Sequence, residues 1–467
     1  MAPSTPTIDS LLLLLNSGHA ASAELERATG KSQSWVSTAL RSLITQRRVV
    51  RVGSRRGARY ALRRDIPPIG SAWPLYRVGR HGEPVELGML HALVADEFYL
   101  EANKAAADVA VASLCRGIPY LLQDQRPGGF LGRAIPQRFP QLHAPPRIQD
   151  WTDEHYLRYL TAYGSDAVGD LILGRAALDD YLLQFRQVVP RDAGQRDKYF
   201  PALADQSMHG GVPGISAQGE HPKFAVTLAE QGEVRHALVK FSPPVETAVG
   251  RRWSDLLIAE HLALETLASA GISSAISRIF QFENRTYLEV NRFDRVGLSG
   301  RVGVVSLWAI DAGFHGALDN WIAAAQRLHQ ERRIDVQTLD EIRLISNFAD
   351  LIANTDKHFG NLAFYDSYDG RFRLTPVYDM LPMLFAPAHD QLVTRLYAPP
   401  DPTSDTLTVW GRARALAEEY WLSLANEPRI SAEFRKIATA CLHTLESLPR
   451  TGAYSPRIAA RGDGTRN

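Results

Sequence analysis

The chain has 467 residues, a formal net charge of +1, 45% hydrophobic and 22% charged residues. That length allows two or three domains, and the balance is that of an ordinary soluble globular protein. The longest aliphatic run, Leu11 to Leu15, is too short to span a bilayer, and no basic n-region or cleavage site marks a signal peptide, so a cytoplasmic chain with no membrane partner is expected. The two cysteines, Cys115 and Cys441, suit neither a zinc site nor a structural disulfide, and both are expected to be buried as small apolar residues.

The first 64 residues read as three helices and a hairpin. Ile8 to Leu15 is a short apolar helix. Ser22-Ala23-Glu24-Leu25 opens a second, which Gly30 closes. Ser32 to Gln46 is a third, with an apolar stripe of Trp35, Leu40, Leu43 and Ile44. Val49 to Val52, a turn from Gly53 to Gly57, and Ala58 to Leu62 make the hairpin. This is the pattern of a winged helix-turn-helix. Residues 1–64 hold eleven lysines and arginines against three acids, a net of +8, so the remaining 403 residues carry −7. A basic module on an acidic body is the electrostatic footprint of nucleic-acid binding; a basic hairpin that meets a protein partner is the alternative. Duplex DNA would take the third helix in its major groove. Ser32, Gln33, Ser34 and Ser37 would then lie at base edges, and Arg55, Arg56 and Arg59 on phosphates or the adjacent minor groove, with a homodimer on a near-palindromic site as a corollary.

Residues 65–74, with Pro67-Pro68 and Gly70, read as a linker. Tyr76 to Gly88 reads as strand, glycine turn and strand. Gln125 to Arg133 is rich in glycine but lacks the flanking strand and helix of a dinucleotide fold, so a structural turn is expected. His209 to Glu220 is a second glycine-rich stretch, followed by a strand from Lys223 to Val226. Glycine lets backbone N–H groups approach phosphate, although the spacing is not that of a Walker A loop. Ala237-Leu238-Val239-Lys240-Phe241 is an apolar strand with one lysine near its end. That lysine is either a phosphate partner or an ordinary exposed strand-end residue. Asp255 to Ala270 is helical and carries Glu260 and Glu265, of which Glu260 is the better partner for Lys240.

The most informative stretch is Asn354-Thr355-Asp356-Lys357-His358-Phe359-Gly360-Asn361, with Asp379 after one hairpin's length of chain. Phosphoryl transfer needs a carboxylate to orient and deprotonate the attacking hydroxyl, and oxygen ligands to hold magnesium against a triphosphate. Asp356 fits the first role; Asn361 and Asp379 fit the second. Leu362 to Tyr365 and Arg371 to Leu374 read as the two strands of a hairpin that returns Asp379 beside Asn361. From Val304 onward the remaining pattern is mainly helical, with a loop at Pro399–Pro402.

The order of glycine-rich loop, strand lysine, helix glutamate, Asp/Asn loop and metal aspartate resembles the HipA-type serine/threonine kinases, the toxins of bacterial toxin–antitoxin modules. The matching pieces are Ser216 to Lys223, Val239-Lys240, Val290 to Arg295, Asn354 to Asn361 and Leu374 to Asp379. With its N-terminal fusion the chain resembles the YjjJ-like branch. The resemblance implies an α+β, two-lobed protein-kinase-like fold with a mostly α C-lobe behind a winged helix-turn-helix. Its divisions are 1–64 for DNA binding, 65–74 linker, 75–290 N-lobe with a small β subdomain, 291–453 C-lobe and 454–467 disordered tail. It implies ATP and Mg2+ as cofactors, a protein Ser/Thr as acceptor, an antitoxin as a further partner, and Ser216 as an autophosphorylation site. ATP would meet Ser216, Ala217, Gln218, Gly219, Lys240, Asn291, Phe293, His358, Asn361 and Asp379. Catalysis would fall to Asp356, Asn361, Lys240 and His358, and the metal to Asn361 and Asp379. The chain departs from the family at Asn291, where the hinge usually has glutamate. The competing expectations are a transcription regulator with a nucleotide-sensing or inactive kinase-like body, and a small-molecule kinase.

Overall fold

A computed structural model of the chain describes residues 5–53, 57–103, 114–209, 221–388 and 391–448. The N-terminal part holds α1 (Thr5–Leu15), β1 (Ala20–Ala21), α2 (Ser22–Thr29), α3 (Gln33–Thr45), β2 (Val49–Val52) and β3 (Arg59–Leu62), with sheet order β1-β3-β2. Gly30 ends α2 in the left-handed region at φ 65°, and the Ser32 hydroxyl caps α3 by accepting from the Trp35 N–H. The buried face of α3 is Val36, Ala39, Leu40 and Leu43. The expected stripe is therefore rotated: Trp35 only packs against the edge of this core, and Ile44 is 37% exposed. Positions 36, 39, 40 and 43 share one helical face, while 35 and 44 fall to either side of it.

A second sheet has the order β7-β6-β5-β4-β8, from β4 (Ala72–Val78), β5 (Pro84–Ala92), β6 (Glu97–Ala102), β7 (Leu114–Arg116) and β8 (Leu171–Leu173). The expected linker is partly fold: Ile66 is fully buried and β4 already begins at Ala72, because Trp73 and Leu75 alternate into the core. Between β7 and β8 run α4 (Tyr120–Gln123), α5 (Gly129–Gly132), α6 (Ile135–Arg138) and α7 (Asp153–Tyr163); α8 (Arg175–Gln187) follows. The glycine-rich stretch 125–133 thus includes a helical turn. A third sheet has the order β12-β13-β11-β10-β9, from β9 (Arg191–Asp192), β10 (Lys223–Glu230), β11 (Glu233–Phe241), β12 (Ser277–Phe282) and β13 (Arg285–Asn291). It packs on α9 (Arg196–Met208) around Phe200, Phe224, Phe241 and Tyr287, and against α10 (Ala248–Ser269).

The C-terminal part follows a small ladder of β14 (Arg295–Val296) and β15 (Gly300–Arg301). It contains β16 (Val304–Ser306), α11 (Leu307–Phe314), α12 (Trp321–Gln330), α13 (Val336–Leu351), β17 (Ala363–Asp366), β18 (Phe372–Leu374), α14 (Leu407–Asn426) and α15 (Ala432–Glu446). The expected hairpin pairs Phe364 with Leu374 and Asp366 with Phe372. β16 is an addition to the expected pattern and pairs with β17. Three residues running straight into a Ser306-capped helix carry no period-2 signal of their own. Cys441 is buried and Cys115 half-buried, and both are free thiols whose pKa burial pushes up to about 12. No helix among the described residues is long and apolar enough to cross a membrane.

The parts share cores. Val50, Val52 and Ala61 of the N-terminal hairpin cluster with Leu93 and Tyr99 of the second sheet. His19 meets Glu97 at 2.9 Å across the same joint. The second sheet's layer in turn meets the β17–β18 hairpin through Tyr120, whose hydroxyl donates to Asp366 at 3.0 Å, and through the Tyr368–Asp170 hydrogen bond. Gly303 lies between these groups with no room for a Cβ.

Candidate active site

The site begins where α13 ends. Ala353 takes the left-handed conformation at φ 61°, and the Asn354 N–H donates back to the Ala349 carbonyl at 2.9 Å, closing the helix. Asn354 Oδ1 then accepts from the Asp356 N–H at 3.0 Å and fixes the start of the loop. His358 Nδ1 accepts from the Gly360 N–H at 3.0 Å. Asn361 Nδ2 donates to the Asp356 carbonyl at 2.9 Å, which turns the loop back on itself. Asp356 and His358 are exposed at its outer side and Asn361 is buried.

Across the cavity, β11 supplies Lys240. Its Nζ donates to Glu260 of α10 at 2.7 and 2.8 Å and to Asp379. Glu265 instead lies beside His261, 3.4 Å away on the same helix. Asp379 sits at φ 53°, a conformation that costs a non-glycine residue about 1 kcal/mol or more and turns the chain as it enters the site. Burial opposes the charge on Lys240, but Asp379 and Glu260 outweigh it and raise its pKa. Burial likewise opposes the Asp379 carboxylate, and Lys240 with Lys223 outweighs it and lowers its pKa. The Asp356 carboxyl is raised, chiefly by desolvation, with His358 acting against the rise and Asp379 adding to it.

Lys240, Asn291, Phe293, Asn361 and Asp379 line one cavity, and Asp356 and His358 line the groove beside it. At the connection between the lobes the Asn291 N–H donates to the Ile276 carbonyl and the Arg292 N–H to the His236 carbonyl, each at 2.9 Å. The Asn291 side chain accepts from Arg235 at 2.7 Å. Asn361 spends its Nδ2 on the Asp356 carbonyl, which leaves Oδ1 as its metal-type donor. Together with the Asp379 carboxylate this is an oxygen pair of the kind magnesium takes.

Lys223 and Asp124 are among the cavity residues that stand outside the expected set. Lys223 is buried and lies opposite Lys240 in the β10–β11 register; it stood within the Ser216–Lys223 motif, which was the available signal. Asp124 enters from α4's C-terminus and accepts from the Ser306 N–H and hydroxyl, both at 2.5 Å. Burial pushes its pKa up to about 6, against those two hydrogen bonds. A lone acid far upstream of the motifs gave no sequence signal.

Ser216, Ala217, Gln218, Gly219, Arg55, Arg56 and the expected tail from 454 lie outside the described residues. On α3, Ser32, Gln33, Ser34 and Ser37 are all exposed. Arg59, expected on DNA phosphate, pairs within its own module: it donates to Glu24 at 3.1 Å and to the His19 carbonyl at 3.4 Å. The β1–β3 pairing sets Arg59 opposite Ala21, at the N-cap of the helix that carries Glu24.

Known proteins resemble the chain over most of its length. Residues 69–182 match the model of the YjjJ-like toxin middle domain, and residues 215–448 that of the HipA-like C-terminal domain. Toxin YjjJ of Escherichia coli (strain K12) is 34% identical over 429 residues, 91% of this chain and 94% of that protein. Among solved structures, a chain from the Shewanella oneidensis MR-1 HipA, HipB and operator DNA complex is 13% identical. The match covers 80% of this chain and 95% of that one, with a TM-score of 0.49. The Helicobacter pylori proinflammatory kinase CtkA is also 13% identical, with 48% and 90% coverage and a TM-score of 0.33. With both family models matching in order along it, and a relative of that identity spanning nine-tenths of its length, the chain belongs to the HipA-like toxin family, in its YjjJ-like branch.

Proposed function

We propose that the chain is an ATP-dependent serine/threonine protein kinase joined to a DNA-binding module. The observation that carries the reading is the meeting of Lys240, Asn361 and Asp379 in one cavity, with Asp356 held at its edge by the hydrogen bond from Asn361. Asp356 orients the acceptor hydroxyl and accepts its proton; its raised pKa makes it a better base than an ordinary aspartate. Glu260 holds the Lys240 ammonium toward the phosphates, and Lys223 adds a second positive charge on the same wall. Phe293 lines the cavity and its N–H makes no hydrogen bond among the described residues, so it is a hinge donor available to an adenine ring. Magnesium, when bound, would neutralise phosphate charge, with Asn361 Oδ1 and the Asp379 carboxylate as its protein ligands. His358, carried on the same loop as Asp356, is the residue that would assist at the phosphates.

Autophosphorylation at Ser216, toxin action in the cell, an antitoxin partner and a homodimer on DNA belong to the same proposal, on the motifs and the family. The exposed α3 residues support DNA binding. The test is incubation of the purified chain with γ-labelled ATP and magnesium, with and without cell extract. Label on extract proteins and on Ser216, absent with Asp356→Asn, is expected. ATP binding without transfer would favour a nucleotide-sensing regulator and overturn the reading.

A further inference from the structure

Two grooves adjoin the Asp356 loop beside the nucleotide cavity, the smaller sharing Gly360 with it. The larger, about 650 Å³, contains Asp356 and His358 and is walled by Leu384, Leu396, Tyr397 and Pro400. The smaller, about 330 Å³, lies on the other side of Lys357 and His358 against Trp308, Leu318 and Asp319. The walls carry large apolar side chains facing water: Leu396 is 88% exposed and Leu318 64%. Leu396 lines the groove that contains Asp356 and Leu318 the groove next to it, so an apolar segment lying along both would bury them.

The charges in these grooves are already committed. Asp350 pairs with Lys357 at 2.5 Å. Asp319 accepts from Arg327 at 2.6 and 3.0 Å. Asp356 is the one carboxylate lining the grooves that makes no ion pair among the described residues. A cationic small molecule such as an aminosugar would need several unpaired acids here, and an acidic acceptor would need more than the one imidazole of His358, which lines both grooves and makes no ion pair among the described residues.

We propose that this double groove is the acceptor site, and that it selects a polypeptide segment carrying bulky apolar residues on both sides of the Ser or Thr that reaches Asp356. Leu396 on one flank and Leu318 on the other set that preference. The proposal rests on the kinase reading and adds its substrate class. The occupant follows from the groove containing Asp356: whatever places a hydroxyl on that carboxylate must lie along these walls. Burying one leucine against a leucine wall supports a selectivity of about tenfold.

The test is an array of peptides with one Ser or Thr flanked by Leu, Ile or Phe, by Asp or Glu, or by Lys or Arg, together with aminosugars as small acceptors. The full chain with labelled ATP and magnesium is expected to favour the apolar-flanked peptides about tenfold. Leu396→Asp and Leu318→Asp should each remove most of that ratio, while Leu13→Asp, on exposed α1, leaves it unchanged. The ratio is read within one preparation, so partial unfolding does not mimic the effect. A chain that labels itself but shows no apolar preference, or prefers charged peptides or aminosugars, overturns this inference and leaves the kinase reading standing. A chain that transfers label to nothing, itself included, overturns both.

Discussion

Lys240 is held by two carboxylates from different elements, and Glu260, its partner from α10, is 1% exposed. Removing the ammonium leaves a buried carboxylate without compensation. Lys240→Met should cost about 3 kcal/mol in urea unfolding, and Lys240→Met with Glu260→Gln should recover part of it, because Glu260 then has no charge to desolvate while Asp379 still lacks its Lys240 partner. Additive losses would show that the two do not act as a pair. The raised pKa of Asp356 has a kinetic counterpart. A base must be deprotonated, so kcat should rise with pH along a limb that lies above the ordinary aspartate range. A pH–rate profile already flat down to that ordinary range would contradict the assignment. The Lys240, Glu260, Asn361 and Asp379 grouping was legible because phosphoryl transfer demands those residue types in that order. The Arg59–Glu24 pair was not, since two residues 35 positions apart meet only once β1 has joined β3.

The β17–β18 hairpin does two jobs: it returns the chain to Asp379, and it joins the C-terminal part to the second sheet's layer. Asp366 and Asp170 sit in that joint, each with its pKa pushed up to about 6 by burial, against the hydrogen bonds from Tyr120 and Tyr368 that favour the charged form. An acid whose folded pKa is raised stabilises the fold fully below its unfolded value, near 3.8, and that contribution is lost as pH rises through about 6. Each group can shift stability by at most about 3 kcal/mol between those limits. The joint should therefore be tighter at pH 5 than at pH 7, and Asp366→Asn should flatten this part of the Tm profile. A variant profile parallel to the wild type would contradict it. The hairpin was legible from Gly370 between two apolar runs. β16 and the β4–β8 pairing were not: one is three residues long, and the other joins segments nearly a hundred residues apart.

At the scale of the molecule, the N-terminal module is not an independent bead. Its hairpin shares a core with the second sheet, so the proposed DNA binding is to be measured on the full chain. Within the module, Arg59 is occupied by Glu24. Arg55→Ala with Arg56→Ala should flatten the salt dependence of DNA affinity by about two units of slope, near 0.9 per phosphate contact, while Arg59→Ala lowers stability and leaves the slope nearly unchanged. A slope loss from Arg59→Ala equal to that of the other two would restore it to the DNA surface. The basic charge of residues 1–64 was legible from composition; the docking was not, because it depends on which hairpin face is left apolar after the module's own core is filled. The central proposal is phosphoryl transfer from ATP to a hydroxyl held at Asp356, and its most direct measurement pairs single-turnover transfer of labelled γ-phosphate with nucleotide affinity in wild type and Asp356→Asn. The account predicts that affinity for ATP with magnesium stays within about twofold, while transfer falls by at least about a hundredfold. Transfer by Asp356→Asn at near the wild-type rate would contradict it.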